Sequence, residues 1–225
     1  MAQVAKNYDA TPVDIDEVAK INSFDEINQW RPVKLEGHYL VGNSVLVRNR
    51  PLDGQPGFLE LVPFQLKDGR LIAIERGWIP SENNYLAPAH YPLPSDQEQV
   101  VIARVRPAEP TLDRSAPAGQ LATINISALV RAEGIKDRIF SKVYARVASE
   151  SVPVAVNPKP LAKPELDEGN HLSYALQWIM FALMAIAALY WGIKKEREAL
   201  TGRRNSKSKR KGIGQVDAEI EDSLS

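Results

Sequence analysis

From position 30 onward, short apolar-rich runs alternate with clusters of Gly, Pro, Asn and Asp. That rhythm marks strands separated by turns. Positions 32–41, 44–49, 58–66, 70–78, 98–106 and 138–147 read as strands. Two dipeptides predict tight reversals between them, Gly42-Asn43 and Asp68-Gly69. Two runs show the two-residue period directly. Val101, Ala103 and Val105 fall on one face, with Arg104 and Arg106 on the other. Val143, Ala145 and Val147 oppose Lys142, Tyr144 and Arg146 in the same way. Positions 120–125 read as a further short strand, and 126–132 as a short helix ended by Gly134. Positions 51–57, 80–95 and 107–119 are loops rich in proline. Positions 1–29 are polar and read as a peripheral segment, with Asp14 capping a short helix that reaches Ile21. The chain has no internal repeat and no long helix within this region to build an α/β sheet. The fold expected for 30–151 is therefore β-rich (α+β), an antiparallel sheet closed, or nearly closed, into a small barrel or sandwich.

A different pattern begins after a proline-rich tether at 152–171. Positions 172–193 read LSYALQWIMFALMAIAALYWGI, without a charged residue. A helix of that length spans ~33 Å, enough to cross a ~30 Å hydrocarbon core. Tyr174 and Trp178 sit near its start, Tyr190 and Trp191 near its end, as in the aromatic belts of a bilayer interface. A buried core helix is rarely apolar on every face over such a length, so 172–193 is expected to be a transmembrane helix.

Charge then sets the orientation. The chain has no net formal charge, but its charges are unevenly placed. Residues 1–171 carry 19 Lys+Arg and 22 Asp+Glu, whereas residues 194–225 carry nine and six. Cations beside a span mark its cytoplasmic side. The tail at 194–225, basic and then acidic, is expected in the cytoplasm, with residues 1–171 extracytoplasmic. The basic block suits attraction to an anionic lipid bilayer. It has no aromatic or folded platform for nucleic acid. Export of so large a domain requires a signal, and the start MAQVAKNYDATPV has no apolar core. An apolar helix upstream of Met1 is the expectation that reconciles the two.

Composition narrows the chemistry. With no cysteine, disulfides, thiolate metal sites and a cysteine nucleophile are excluded. Only His38, His90 and His171 are present. No phosphate loop, no His-Glu-x-x-His and no Gly-x-Ser-x-Gly occurs. The catalytic set is therefore expected to be none, and the protein is not expected to be an enzyme.

Two places remain as candidate sites. The stretch Arg76-Gly77-Trp78-Ile79-Pro80 combines a cation, a glycine suited to close approach, a large apolar plate and a strand stop. It fits a partner or anion contact, and equally a core tryptophan beside a structural ion pair. His171 opens the apolar span, with Tyr174 and Trp178 three and seven residues on, along one helical face. An imidazole with two aromatic plates can hold the iron and ring of a haem. An interfacial histidine beside ordinary belt aromatics fits the same spacing.

Several segments together resemble the Surfeit locus protein 1 family of cytochrome c oxidase assembly factors. They are Leu35-Glu36-Gly37-His38-Tyr39-Leu40, then VLVRNR at 45–50, then Gly57-Phe58, Pro63-Phe64 and Asp68-Gly69. Arg76-Gly77-Trp78-Ile79-Pro80 and the run Asn170-His171-Leu172-Ser173-Tyr174-Ala175-Leu176-Gln177-Trp178 complete the series. The turn at 51–57 and the long basic tail are similar to the actinobacterial branch. The resemblance implies a haem chaperone role at the bacterial cell (plasma) membrane, in respiratory chain biogenesis. Its partners would be oxidase subunit one and other assembly factors, and haem a a transient cofactor ligated at His171. It also implies an extracytoplasmic domain between two transmembrane helices. A haem-independent structural adaptor for the nascent subunit is the alternative it leaves open.

Overall fold

Strand-forming runs dominate the first 150 residues of the computed structural model. The structure describes residues 2–82, 86–112, 114–135, 138–164 and 171–222, and for 2, 171, 172 and 202–222 the backbone alone. The chain divides into two units, Met1–Leu166 and Asp167–Ser225. The first unit runs α1 (Ala2–Asn7), β1 (Val13–Asp14), α2 (Ile15–Val18), β2 (Ala19–Lys20), β3 (Ser23–Phe24), β4 (Pro32–Tyr39) and β5 (Val45–Val47). It continues with β6 (Gly57–Leu66), β7 (Leu71–Pro80), β8 (Gln99–Pro107), β9 (Gln120–Leu121), α3 (Ile126–Glu133) and β10 (Val143–Glu150). The second unit holds one helix, α4 (His171–Asp222).

Eight strands form one sheet in the order β1-β4-β8-β10-β7-β6-β5-β9. The expectation of an antiparallel sheet needs correction: the sheet is mixed. β1 pairs with β4, β10 with β7 and β5 with β9 in parallel. The cause is connection length, because parallel neighbours need a long crossover. β10 returns beside β7 only after the chain has passed through β8, β9 and α3. The sheet also curls on itself. β4 pairs with β8 from Pro32 to Gly37, then with β6 from Gly37 to Tyr39. That second seam is three residue pairs long, so the curled sheet stops short of a fully closed barrel, and it is not a sandwich of two separate sheets.

Local chemistry accounts for several elements. The β6–β7 hairpin turns through Asp68-Gly69, with Gly69 at φ 84°. Gly42-Asn43 does not make the expected hairpin. It lies in a 3-10 turn, and β5 pairs with β6 and β9 rather than with β4. Asp14 forms a reciprocal capping box with Glu17. The helix it caps ends at Val18 instead of Ile21, because Ala19–Lys20 turns to pair with Ser23–Phe24. Asn125 caps α3, and Gly134 ends it in the left-handed conformation at φ 63°.

The apolar residues form two main layers, one on each face of the curled sheet. Inside the curl lie Val33, Leu35, Val62, Phe64, Ile72, Ile74, Val101, Ala103, Val105, Val143 and Ala145, joined by Ile15, Val18 and Ala19. The polar-looking first 29 residues thus supply part of this layer. On the outer face, Val47, Leu59, Leu61, Trp78 and Tyr144 pack against Leu121 and α3. Strands β6 and β7 are therefore buried on both faces along nearly their whole length. Residues 157–163, within the proline-rich tether, are fastened to this unit. Lys159 exchanges two backbone hydrogen bonds with Trp78, each 2.8 Å, and Lys163 reaches Asp9 at 2.5 Å.

Because Ile74 is fully buried in the inner layer, Ile74→Ala is expected to lower the unfolding free energy by about 2–5 kcal/mol. Urea unfolding of the full-length protein in detergent checks this, with an unchanged slope and an earlier midpoint.

Candidate functional site

The Arg76–Pro80 stretch owes its geometry to a bulge. On β7, Glu60 of β6 stands opposite Gly77, whereas Leu61 stands opposite Glu75. Arg76 is the extra residue, and a bulge shifts the side-chain alternation by one. Arg76 consequently points inside the curl while Trp78, two residues later, enters the outer layer. A second bulge lies on β10 between Val147 and Ser149. It turns Glu150 to the side of Val101, inside the curl, where unbroken alternation would have sent it outward.

These shifts bring four polar side chains together around Arg76, whose side chain is 1% exposed. Its Nε and Nη2 donate to the two oxygens of Glu150 at 2.8 and 2.9 Å. Nη1 donates to Glu60 Oε2 at 2.9 Å, and Nη2 also to Asn157 Oδ1 at 3.0 Å. The Tyr39 hydroxyl donates to Glu150 Oε1 at 2.6 Å, and the guanidinium lies 5.6 Å from the Tyr39 ring centre. One cation thus ties together β4, β6, β7, β10 and the segment after β10. Burial opposes its charge, but the hydrogen bonds to Glu150 and the charge of Glu60 outweigh that and raise its pKa. Burial pushes Glu60 up to about 7 against the pull of Arg76. Its Oε1 has no partner among the described residues. Tyr39 is raised well above its usual value by burial and by Glu150.

Gly77 and Trp78 complete the motif. A Cβ on Gly77 would stand 2.8 Å from the Lys159 carbonyl oxygen and 2.9 Å from Pro158 Cβ. Only glycine lets that segment lie so close. Trp78 is 5% exposed, and its Nε1 donates to the Arg50 carbonyl at 2.6 Å. Pro80 ends β7 and is exposed. The structure thus brings Arg76, Gly77 and Trp78 together as interior parts of the scaffold, with Pro80 at its edge. Glu60, Glu150, Asn157 and Tyr39 were not singled out from sequence. One signal was available for Glu60: a lone acid inside the apolar run Phe58-Leu59-Glu60-Leu61-Val62.

In the second unit, α4 begins at His171, whose side chain lies outside the described residues. Its stretch Ser173–Thr201 is long and apolar enough to cross a membrane. Tyr174 and Trp178 lie on it one turn apart and are 60% and 69% exposed. Trp178 meets Phe181 edge-on at 6.1 Å. The large apolar side chains from Leu176 to Ile193 are exposed in the same way. Among the described residues, no group of three or more His, Asp or Glu could hold a bare metal ion. A haem supplies four of its own nitrogens to the iron, so it would ask for only one imidazole from the protein.

A curled, mixed sheet joined in sequence to one apolar helix defines the class, a β-domain protein with a membrane-spanning helix candidate. The family model of the SURF1 family matches residues 1–183, and this chain belongs to that family. An uncharacterized SURF1-like protein of Mycobacterium tuberculosis is 30% identical over 163 residues, 70% of this chain and 57% of the relative. The chain thus spans little more than half the length of the mycobacterial relatives it matches. The cytochrome oxidase assembly protein SHY1 of Saccharomyces cerevisiae is 35% identical over 85 residues, 35% of this chain and 21% of its own. A SURF1-like protein of Dictyostelium discoideum is 37% identical over 73 residues, 31% of this chain and 27% of the relative.

Two outcomes are expected at the buried cluster. Arg76→Ala strands two carboxylates in the interior and should cost about 3–5 kcal/mol of stability, read by urea unfolding. Glu60→Gln should alter the pH dependence. Folding raises the Glu60 pKa from 4.5 to about 7, so its contribution is full below about 4.5 and is lost as pH rises through about 7. Measured at pH 5 and pH 8, the wild type should lose on the order of 1–3 kcal/mol relative to Glu60→Gln. A constant difference between the two proteins would show that Glu60 does not titrate in that range.

Proposed function

We propose that this protein is a membrane-anchored assembly factor for cytochrome c oxidase, binding haem a transiently at His171 and aiding its insertion into subunit one. Membership of the SURF1 family supports the oxidase, since the yeast relative is named for cytochrome oxidase assembly. The observation that carries the haem reading is the succession His171, Tyr174, Trp178 on one face at the start of an exposed apolar helix. The His171 imidazole would ligate the iron, and Tyr174 and Trp178 would offer apolar contact to the macrocycle. Haem a, once delivered, supplies the electron-accepting iron of the oxidase. The work required of this chain is differential binding, tighter than the haem donor and weaker than the recipient subunit. No catalytic turnover is needed.

The same reading places residues 1–171 on the extracytoplasmic side of a bacterial plasma membrane and the basic tail in the cytoplasm, by the charge asymmetry around the span. A second reading is the haem-independent adaptor, which holds the nascent subunit while other factors deliver haem. It draws on the Arg76 cluster, whose polar groups are mostly occupied with one another and give the domain a rigid frame.

Haem titration of the full-length protein in detergent separates the two. Wild-type protein should show a saturable shift of the Soret band, and His171→Ala should weaken binding at least tenfold (about 1.4 kcal/mol). Equal spectra and equal affinities would remove the ligand assignment. Capture of subunit one by a chain that takes up no haem would establish the adaptor.

A further inference from the structure

A cleft of about 710 Å³ opens beside the β5–β9 pair. These two strands run in parallel, with Leu46 beside Gln120 and Val47 beside Leu121. They end at the same edge of the sheet, and the segments that follow them diverge. Arg48, Asn49 and Arg50 form one wall, while Glu109, Arg114 and Thr123 contribute the other. Asn49 takes the left-handed conformation at φ 55°, and both arginines that flank it line the space.

The walls are fixed by contacts that leave two of the three guanidiniums unused. Arg50 engages Glu109 through both carboxylate oxygens. Glu109 Oε2 also accepts from the Ile124 N–H at 2.8 Å. Burial raises the Glu109 pKa, but the bond from Arg50 and that N–H outweigh it, so the carboxylate stays charged. Its charge is committed to Arg50, whose carbonyl in turn is held by Trp78. The opposite wall is pinned by Thr123 Oγ1 on the Pro110 carbonyl at 3.0 Å and by Asn125 Nδ2 on the Glu109 carbonyl at 3.1 Å. Among the described residues, neither Arg48 nor Arg114 has a carboxylate partner. Elsewhere in the same unit Arg70, Arg76 and Arg146 each have one, and Arg104 and Arg106 lie over aromatic rings.

We propose that this cleft binds a small polyvalent anion through its phosphate or carboxylate groups, with Arg48 and Arg114 as the recognising residues. Among the described residues the lining sets three guanidiniums against one carboxylate, and like charges gathered in one cleft repel until an anion joins them. The guanidinium fork matches the paired oxygens of carboxylate or phosphate. The volume exceeds that needed for a bare inorganic ion and falls in the range of small-molecule sites, ~300–1,000 Å³. Leu112, 44% exposed on the rim, offers apolar contact to the body of such a ligand. The site lies wholly in the first unit and does not depend on haem binding at His171.

Calorimetric titration of the full-length protein in a neutral detergent tests it. The probes are pyrophosphate and citrate, as soluble anions, and a short-chain phosphatidylglycerol, as a lipid headgroup. At least one should bind with Kd below about 1 mM, and Arg48→Gln combined with Arg114→Gln should weaken it at least tenfold. Tighter binding of pyrophosphate or citrate assigns a soluble ligand; tighter binding of the lipid assigns a headgroup. Arg114→Gln alone lies on an exposed loop and should still weaken binding about threefold or more if the double variant fails to fold. Lys20→Gln, which removes a charge outside the cleft, should bind as wild type does. Saturable binding by none of the three probes would overturn the site. So would an affinity unchanged in both arginine variants, or an equal loss in Lys20→Gln.

Discussion

One buried guanidinium organises the first unit. Arg76 has almost no contact with water, and an unpaired charge there would be severely destabilising. It is tolerable only because Glu60, Glu150, Asn157 and Tyr39 converge on it. Each comes from a different part of the chain, so the ion cluster can form only when β4, β6, β10 and the segment after β10 are all in place. The bulge on β10 makes this possible by setting Glu150 on the same side of the sheet as Arg76, while the bulge on β7 sends Trp78 to the other face. Glycine at 77 then lets Pro158 and Lys159 close over the edge. The cluster is costly to assemble and specifies a single arrangement.

That rigidity has a functional side. Trp78 leaves the ion cluster's face of the sheet and, through Arg50, steadies the turn that follows β5. The same Arg50 holds Glu109 and with it the loop before β9. A chain of contacts therefore runs from the buried Arg76 region to an open, positively charged cleft. The second unit is of another kind. Its helix exposes aromatic and aliphatic side chains along its apolar stretch, a surface suited to lipid or to the apolar face of a macrocycle.

Much of this was legible in the sequence where local chemistry decides. The alternation at Val101, Ala103 and Val105, the Asp68-Gly69 reversal, the Asp14 cap and Gly134 each act within a few residues. The uncharged run from Leu172 could be read from composition alone. What escaped was set by distant contacts. Parity along β7 would put Arg76 and Trp78 on one face; the bulge that parts them depends on pairing with β6. Glu150 lies beyond the last alternating pair, and nothing near it signals an inward turn. Gly42-Asn43 has the composition of a hairpin, but β8 and β6 occupy the two edges of β4. The parallel pairings are equally non-local, since no short motif announces which strand a returning chain will join. At His171 the sequence supplied spacing and family resemblance, and the backbone adds that this position is helical.

Oxidase assembly is measured most directly by the haem a content of membranes from cells in which this chain's gene has been deleted. A marked fall in the haem a absorbance and in oxidase activity is expected, both restored by the wild-type gene in trans. Membranes with undiminished haem a and full oxidase activity would contradict a role in oxidase assembly.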